Sequence, residues 1–145
     1  LKEPITKINK WFPNSAIELN YPAEANILFD RELFSSMLVN LLENAIEHSE
    51  SSTSIQVDIV KDSKWIKITI KDQGTGIQEN IKPLITQRFF TYNKNEQSQV
   101  KGTGLGLYLV DSIVKLYQGK LSFLPNEPKG TCVKIEIPLG VKKLH

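Results

Sequence analysis

Three glycines at alternate positions open an apolar stretch in the second half of the chain. They are Gly102, Gly104 and Gly106, and the apolar residues continue to Val110. Because glycine has no Cβ, the backbone here can approach a ligand closely, and the helix that follows turns its free N–H groups toward that ligand. Such groups suit a phosphate. A tight turn before a buried helix would also use glycine, so the stretch alone leaves both interpretations open.

Two asparagines four residues apart, Asn40 and Asn44, offer a second set of ligand groups. On a helix their side chains lie one above the other on the same face. Amide oxygens suit a hard cation such as nucleotide-bound Mg²⁺, and amide nitrogens suit phosphate. A solvated helix face is the alternative, and it also accommodates the neighbouring Glu43 and Glu47.

A carboxylate stands where a predicted strand gives way to a glycine turn, in the sequence DQGTGI at residues 72–77. Asp72 can accept a hydrogen bond from an exocyclic amine such as adenine N6, while Gly74 and Gly76 let the base approach the main chain. Thr131 could donate to that carboxylate or to a water. The alternatives are a turn that only reverses the chain and a threonine that only favours β-structure.

Amphipathic segments predict the helices that position these groups. One helix runs from Arg31 to about His48, with Asp30 as its N-cap. Its apolar face consists of Leu33, Phe34, Met37, Leu38, Leu41, Leu42, Ala45 and Ile46. A second long helix is predicted from Leu105 to Gln118 with Gly119 at its C′ position, and a short helical piece around Glu79 to Gln87, interrupted by Pro83.

Alternating apolar and polar residues predict the strands. Two short strands are expected within residues 15–29, one hairpin at residues 55–59 and 66–70, and another at residues 120–124 and 131–138. Each hairpin has one apolar face and one polar face. The predicted fold class is an α/β (α+β) two-layer sandwich, a mixed, mostly antiparallel sheet covered on one face by helices.

Composition limits the class of protein. The 145 residues suit one domain, and the interspersed charges with a net charge of +2 give no case for nucleic acid. No apolar run approaches the roughly 20 residues that span a bilayer, so direct membrane contact is not expected. The single cysteine, Cys132, excludes an internal disulfide and favours a reducing, cytoplasmic location. Residues 1–14 are interpreted as a linker remnant from a preceding domain and residues 15–145 as the domain itself.

The motifs, in this order, resemble those of the GHKL ATPase/kinase superfamily, and within it the ATP-binding catalytic (HATPase_c) domain of sensor histidine kinases. The similarity extends from about residue 18 to residue 139. It includes an N box at residues 40–45, a G1 box at 72–77, an F box (RFF) at 88–90, a G2 box at 102–107 and a closing Gly-Thr at 130–131. The resemblance implies the Bergerat ATP-binding fold.

The resemblance also implies a role for each matching residue. Asn44 would coordinate Mg²⁺, Asn40 would help to hold the metal and phosphates, and Asp72 would receive adenine N6 with Thr131 nearby. A polar lid would extend from residue 92 to residue 101. The other residues assigned to nucleotide binding are Gly74, Gly76, Ile77, Phe90, Lys101, Gly102, Thr103, Gly104, Leu105 and Gly106.

Two positions within the motifs bear on the reaction. Superfamily members that hydrolyse ATP, such as gyrase, carry a water-activating glutamate where this chain has Asn40, and an amide cannot act as a general base. That difference favours a kinase over an ATPase. Many histidine kinases place a basic residue against the phosphates where this chain has Glu47; Arg88, Lys94 or Lys101 is hypothesised to supply the missing charge.

The implied function is that of a catalytic domain in a two-component sensor histidine kinase. It would bind Mg·ATP and transfer the γ-phosphoryl group to a histidine on a dimerisation domain, from which a response regulator receiver domain would take it. His48 is interpreted as a packing or lid neighbour, and His145 as a terminal residue. The alternatives are a degenerate nucleotide-binding or partner-docking module, favoured by Glu47, and a stand-alone GHKL ATPase or anti-sigma-type serine kinase.

Overall fold

The computed structural model describes residue 10 and residues 17–21, 29–49, 54–87 and 106–139. The F box, the lid and residues 101–105 of the glycine stretch lie outside these ranges. The elements, in chain order, are β1 (Ile17–Asn20), α1 (Arg31–His48), β2 (Ile55–Lys61), β3 (Trp65–Lys71), α2 (Gly106–Leu116), β4 (Lys120–Pro125) and β5 (Thr131–Pro138).

The strands form one five-stranded sheet in the order β1-β2-β3-β5-β4. β1 pairs with β2 in parallel and all other pairs are antiparallel. Ile68 lies opposite Ile59 on one side and Ile135 on the other, so the apolar residues of three strands share one face. That face is buried and the opposite face carries the polar residues. The one parallel and three antiparallel pairs confirm the predicted mixed, mostly antiparallel sheet.

The two long helices cover the apolar face. α1 begins and ends as predicted, and its N-cap is Asp30, whose Oδ1 accepts from the N–H of Leu33 at 3.1 Å. The α1 residues that pack into the core are Phe34, Met37, Leu38, Val39, Leu41, Leu42 and Ala45. None of the described helices is long and apolar enough to cross a membrane. The two-layer α/β sandwich is confirmed.

The end of α2 differs from the prediction. Gln118, not Gly119, adopts the left-handed conformation, with φ of 58°. The N–H of Gln118 donates to Lys115 O at 3.0 Å and that of Gly119 to Val114 O at 2.8 Å, which is a Schellman motif with Gln118 at C′. Glycine is needed one residue later because a Cβ on Gly119 would lie 2.6 Å from Glu136 O.

The helical piece predicted for residues 79–87 is wrong, since the chain forms a series of turns there. Ile81 donates to Gln78 O at 3.1 Å and Leu84 to Ile81 O at 2.8 Å, both across three residues, and a single four-residue bond, from Ile85 to Ile81 O at 3.1 Å, is not continued into a helix. Pro83 lies in the middle of the segment. It has no N–H to donate, and its ring disfavours helical backbone at the residue before it.

Aromatic contacts join the start of α1 to the end of α2. The Phe29 ring stacks on Tyr117 with centroids 3.8 Å apart and meets Phe34 edge-on at 5.3 Å. The hydroxyl of Tyr117 accepts a hydrogen bond from the main-chain N–H of Asp30 at 2.9 Å. These contacts fix one helix relative to the other, and so they hold the asparagine face near the beginning of α2.

Candidate functional site

Asp72 is a buried carboxylate immediately after β3, with only 3% of its surface exposed. Its Oδ1 accepts two main-chain hydrogen bonds, from Gly74 at 3.0 Å and from Thr131 at 3.1 Å. Its own N–H donates to Thr131 O at 2.9 Å. The predicted contact with Thr131 is therefore present, but the main chain of Thr131 makes it where the sequence suggested the side chain.

The electrostatics of Asp72 involve His48, at the end of α1. Burial raises the pKa of Asp72, and this rise is opposed by the two main-chain hydrogen bonds and by the charge of His48. Burial lowers the pKa of His48, and the negative charge of Asp72 opposes that change. The structure thus brings an acid that follows β3 and a base at the end of α1 within electrostatic reach of each other.

The last turn of α1 lies directly on the glycine turn. A Cβ on Gly74 would collide with the carbonyl group of His48 and would lie 3.2 Å from Asp72 Oδ1. A residue with a side chain cannot occupy this position without moving one of the two segments. Gly74 therefore brings the end of α1 against the carboxylate, which a glycine in a simple reversing turn would not do.

The turn between β4 and β5 closes the other side of Asp72. The side-chain Nδ2 of Asn126 donates to the main-chain oxygen of Asp72 at 2.8 Å. Gly130 has φ of +104°, and a Cβ there would collide with that same carbonyl group. Gly76, with φ of +78°, lies beside this turn, since a Cβ on it would be 3.5 Å from Gly130 O.

Asn40 faces the first residue of α2. Its Nδ2 donates to Ser36 O at 2.7 Å, and its Oδ1 would lie 3.0 Å from a Cβ on Gly106. The predicted asparagine face and the end of the predicted glycine stretch are therefore neighbours, although 66 positions separate them in sequence. Asn40 offers its oxygen in this direction because its nitrogen is bound within the helix.

Asn44 lies one turn further along α1 and is half-buried, as is Glu43, while Glu47 is exposed. Although Glu47 is exposed as a residue, partial desolvation of its carboxylate and then repulsion by Glu43 raise its pKa. The negative charge on this face favours a cation over a bare phosphate. Arg88, Lys94 and Lys101, the residues hypothesised to offset Glu47, lie outside the described residues.

The predicted site residues form two groups. One group lies around the end of β3 and consists of Asp72, Gly74, Gly76 and Thr131, with the half-buried Ile77 next in the chain after Gly76. The other group is the contact between α1 and α2 that Asn40 makes with Gly106. The remaining predicted ligand residues, which lie outside the described ranges, are Phe90, Lys101, Gly102, Thr103, Gly104 and Leu105.

Neither the contact of Asn126 with Asp72 nor the electrostatic coupling of His48 to Asp72 was predicted from the sequence. An asparagine that opens a turn ending in glycine was a local signal for Asn126, but nothing nearby in sequence identified its partner.

The chain is similar in sequence to a known protein family and to two sensor kinases. Residues 29–141 match the model of the family described as "Histidine kinase-, DNA gyrase B-, and HSP90-like ATPase". The chain is 30% identical to histidine kinase P4 of Formosa agariphila over 97% of its own length, which is 11% of that protein. It is 31% identical to the sensor protein KdpD of Clostridium acetobutylicum, over 95% of this chain and 15% of that protein. The chain thus spans less than a sixth of the length of either relative.

A solved structure has the same fold. The catalytic domain of histidine kinase ThkA superposes with a TM-score of 0.79 at 25% identity, covering 96% of this chain and 92% of that one. The family match covers both groups of predicted site residues, the sandwich described above agrees with the ThkA domain, and the relatives are histidine kinases. The chain therefore belongs to the histidine kinase-, DNA gyrase B- and HSP90-like ATPase family, as an ATP-binding domain of the sensor histidine kinase type.

Proposed function

We propose that this domain binds Mg·ATP and supplies the γ-phosphoryl group to a histidine on a dimerisation domain of the same protein, from which a response regulator receiver domain takes it. The observation that carries the proposal is the buried carboxylate of Asp72, held by two main-chain N–H groups on one oxygen. A cytoplasmic location belongs to the same proposal, because ATP and receiver domains are available there.

Adenine recognition is assigned to the second oxygen of Asp72. Both main-chain donors use Oδ1, so Oδ2 is the atom proposed to accept from the adenine N6 amine. A purine with a 6-oxo group presents an acceptor in that position and would face the carboxylate without a hydrogen atom between them. Such a mismatch at a buried charged group costs about 10- to 100-fold in affinity.

The residues on α1 suit a magnesium–phosphate group. Asn44 has an amide oxygen on the half-buried face, and the Asn40 oxygen points to the start of α2. Mg²⁺ keeps several of its waters and takes few protein ligands, so a single amide oxygen with phosphate oxygens fits its chemistry. When bound, Mg²⁺ would neutralise charge on the phosphates. Asn44 would bind it, and Asn40 would accept from one of its waters.

Asn40 also supports transfer to a histidine over hydrolysis. Its amide has no basic atom, and its nitrogen is committed to Ser36 O at 2.7 Å. It cannot remove a proton from an attacking water, so the γ-phosphate is retained for another nucleophile. The contribution of the domain is then positioning and charge neutralisation, as in phosphoryl transfer generally.

Calorimetric titration with the non-hydrolysable analogue AMPPNP, with and without Mg²⁺, tests the site. Asp72→Asn is expected to weaken binding about 10- to 100-fold, and Asn44→Ala to remove the Mg²⁺ dependence. Asp58→Asn is the matched control. That carboxylate accepts side-chain amide hydrogen bonds from Asn20 and Gln56 on the polar face of the sheet. Equal affinities of wild type and Asp72→Asn would reject the adenine assignment.

Phosphotransfer needs its own measurement, because a domain can bind nucleotide without transferring phosphate. The chain with [γ-³²P]ATP and a separately supplied histidine-bearing dimerisation domain should label that histidine. The second candidate function is a regulatory nucleotide-binding module. It is favoured by the exposed carboxylate of Glu47 on the face proposed to hold the metal. Nucleotide binding without labelling would favour this module.

A further inference from the structure

We infer that Asn126 is a positioning residue that sets the orientation of the Asp72 carboxylate from the turn between β4 and β5. The inference rests on the proposed function in one respect, namely that Asp72 receives the adenine amine. Asn126 itself is not proposed to touch the nucleotide.

Asn126 makes two hydrogen bonds with different consequences. Its main-chain N–H donates to Gly130 O at 3.0 Å and closes the turn. Its side-chain Nδ2 donates to the main-chain oxygen of Asp72 at 2.8 Å, across 54 positions of sequence. One half-buried residue therefore shapes the turn and attaches it to Asp72.

The second hydrogen bond satisfies a group that the sheet leaves unpaired. The β3–β5 ladder ends at the pair Lys71 and Cys132, and the Asp72 N–H is taken by Thr131 O at 2.9 Å. Asn126 provides a donor for the Asp72 carbonyl, which lies beyond the last strand pair. A buried carbonyl without a donor is costly, so loss of Nδ2 should make this peptide shift or admit water.

Movement of that peptide would change the carboxylate directly. The Oδ1 hydrogen bond from Thr131 at 3.1 Å is intact only when Asp72 and the start of β5 keep their relative positions, and the same oxygen also accepts from Gly74, within its own loop, at 3.0 Å. Gly130 lies close to this peptide, because a Cβ there would collide with the Asp72 carbonyl group. Through these contacts Asn126 would determine which way Oδ2 points.

A residue that only stabilises the turn would lower the stability of the fold and leave base selectivity unchanged. Selectivity is therefore the decisive measurement, made as the ratio of ITP to ATP dissociation constants in Mg²⁺, since ITP carries a 6-oxo group in place of the 6-amine. For Asn126→Ala this ratio is expected to fall by about three- to tenfold. Asn126→Ser retains a shorter donor and serves if the alanine variant does not fold.

The matched control is Asn20→Ala. It also removes an asparagine Nδ2 that donates to an aspartate, at 2.9 Å to Asp58, but on the polar face of the sheet. The ratio should be unchanged in this variant. A folded Asn126→Ala protein with the wild-type ratio would overturn the inference while leaving the proposed function intact.

A measurement on the unliganded chain separates failure of this inference from failure of the proposed function. Hydrogen exchange of the Gly74 and Thr131 amides, which donate to Asp72 Oδ1, should accelerate in Asn126→Ala and not in Asn20→Ala. If wild type does not distinguish ATP from ITP, the adenine assignment fails. Unchanged exchange at both amides would then overturn the positioning of Asp72 by Asn126 as well.

Discussion

The amide oxygen of Asn40 would lie 3.0 Å from a Cβ atom on Gly106, the first residue of α2. The amide nitrogen is held by Ser36 O at 2.7 Å, so the amide cannot turn away without losing that hydrogen bond. A methyl group on Gly106 therefore fits only if Asn40 or the start of α2 moves by a few tenths of an ångström. This contact couples the face carrying the asparagines to the helix that follows the glycine stretch.

Gly106→Ala is expected to be more destabilising in wild type than in an Asn40→Ala background, because the truncated side chain leaves space for the methyl group. The coupling free energy should be on the order of 0.5–1 kcal/mol, typical of residues in contact. Urea unfolding of the four proteins in the double-mutant cycle measures it. The control pair is Gly106→Ala with Asn20→Ala, and its two changes in unfolding free energy should be additive. Additive changes for Gly106→Ala and Asn40→Ala as well would contradict the contact.

Substitutions of two glycines should separate backbone strain from collision. Gly76→Ala is expected to cost about 1–2 kcal/mol of unfolding free energy, because φ is +78° and the nearest atom to the new Cβ is 3.5 Å away. Gly130→Ala should cost at least about 1 kcal/mol more, since its Cβ must also displace the Asp72 carbonyl group. Chemical denaturation of both variants gives the comparison. A smaller cost for Gly130→Ala would show that the β4–β5 turn can move away from Asp72.

Elements with a long regular pattern could be predicted from sequence. α1 runs from Arg31 to His48 as expected, because its apolar spacing is continuous and Asp30 supplies the cap. The errors occur where local signals compete. Gly119 has the residue type of a C′ position, but its close approach to β5 requires glycine there while Gln118 adopts the left-handed backbone.

The candidate site was predictable to the extent that its residues form short motifs. Asp72 and Gly74 are neighbours in sequence, so their relationship could be expected from the turn they share. Asn126 and His48 reach Asp72 through the sheet order and the packing of α1, which are properties of the assembled fold. A single sequence contains no local pattern that pairs positions so far apart.

Tyr117→Phe should lower the unfolding free energy by about 1 kcal/mol, because it removes the acceptor for the Asp30 N–H while keeping the stacked ring. Tyr108→Phe is the control, since that ring is 39% exposed on α2 and its change should stay within about 0.5 kcal/mol. Urea unfolding monitored by circular dichroism measures both. Equal stabilities for the two variants would mean that the Tyr117 hydroxyl does not hold the start of α1.

The electrostatic coupling between His48 and Asp72 predicts the direction of a titration. Burial lowers the pKa of His48, and the charge of Asp72 partly offsets this. Asp72→Asn removes the charge and keeps an oxygen for the Gly74 and Thr131 amides, so the pKa of His48 should fall further. NMR titration of the His48 Cε1 proton from about pH 8 downward through pH 5 measures it. Asp58→Asn should leave the His48 titration unchanged, and a rise of the His48 pKa in Asp72→Asn would contradict the coupling.

The same substitution should change how stability depends on pH. The pKa of His48 is lower in the folded state than in the unfolded state. Its contribution to the free energy of unfolding is therefore fully present above about pH 6.5 and is lost as pH falls through the folded pKa. Asp72 acts oppositely, since its raised pKa means that protonation favours the folded state as pH falls. Asp72→Asn removes this gain in stability and also lowers the folded pKa of His48. Both effects reduce the stability of the variant in acid relative to its stability at neutral pH. The variant should be at least as stable as wild type near neutral pH and lose that advantage in acid, measured by urea unfolding across the pH range.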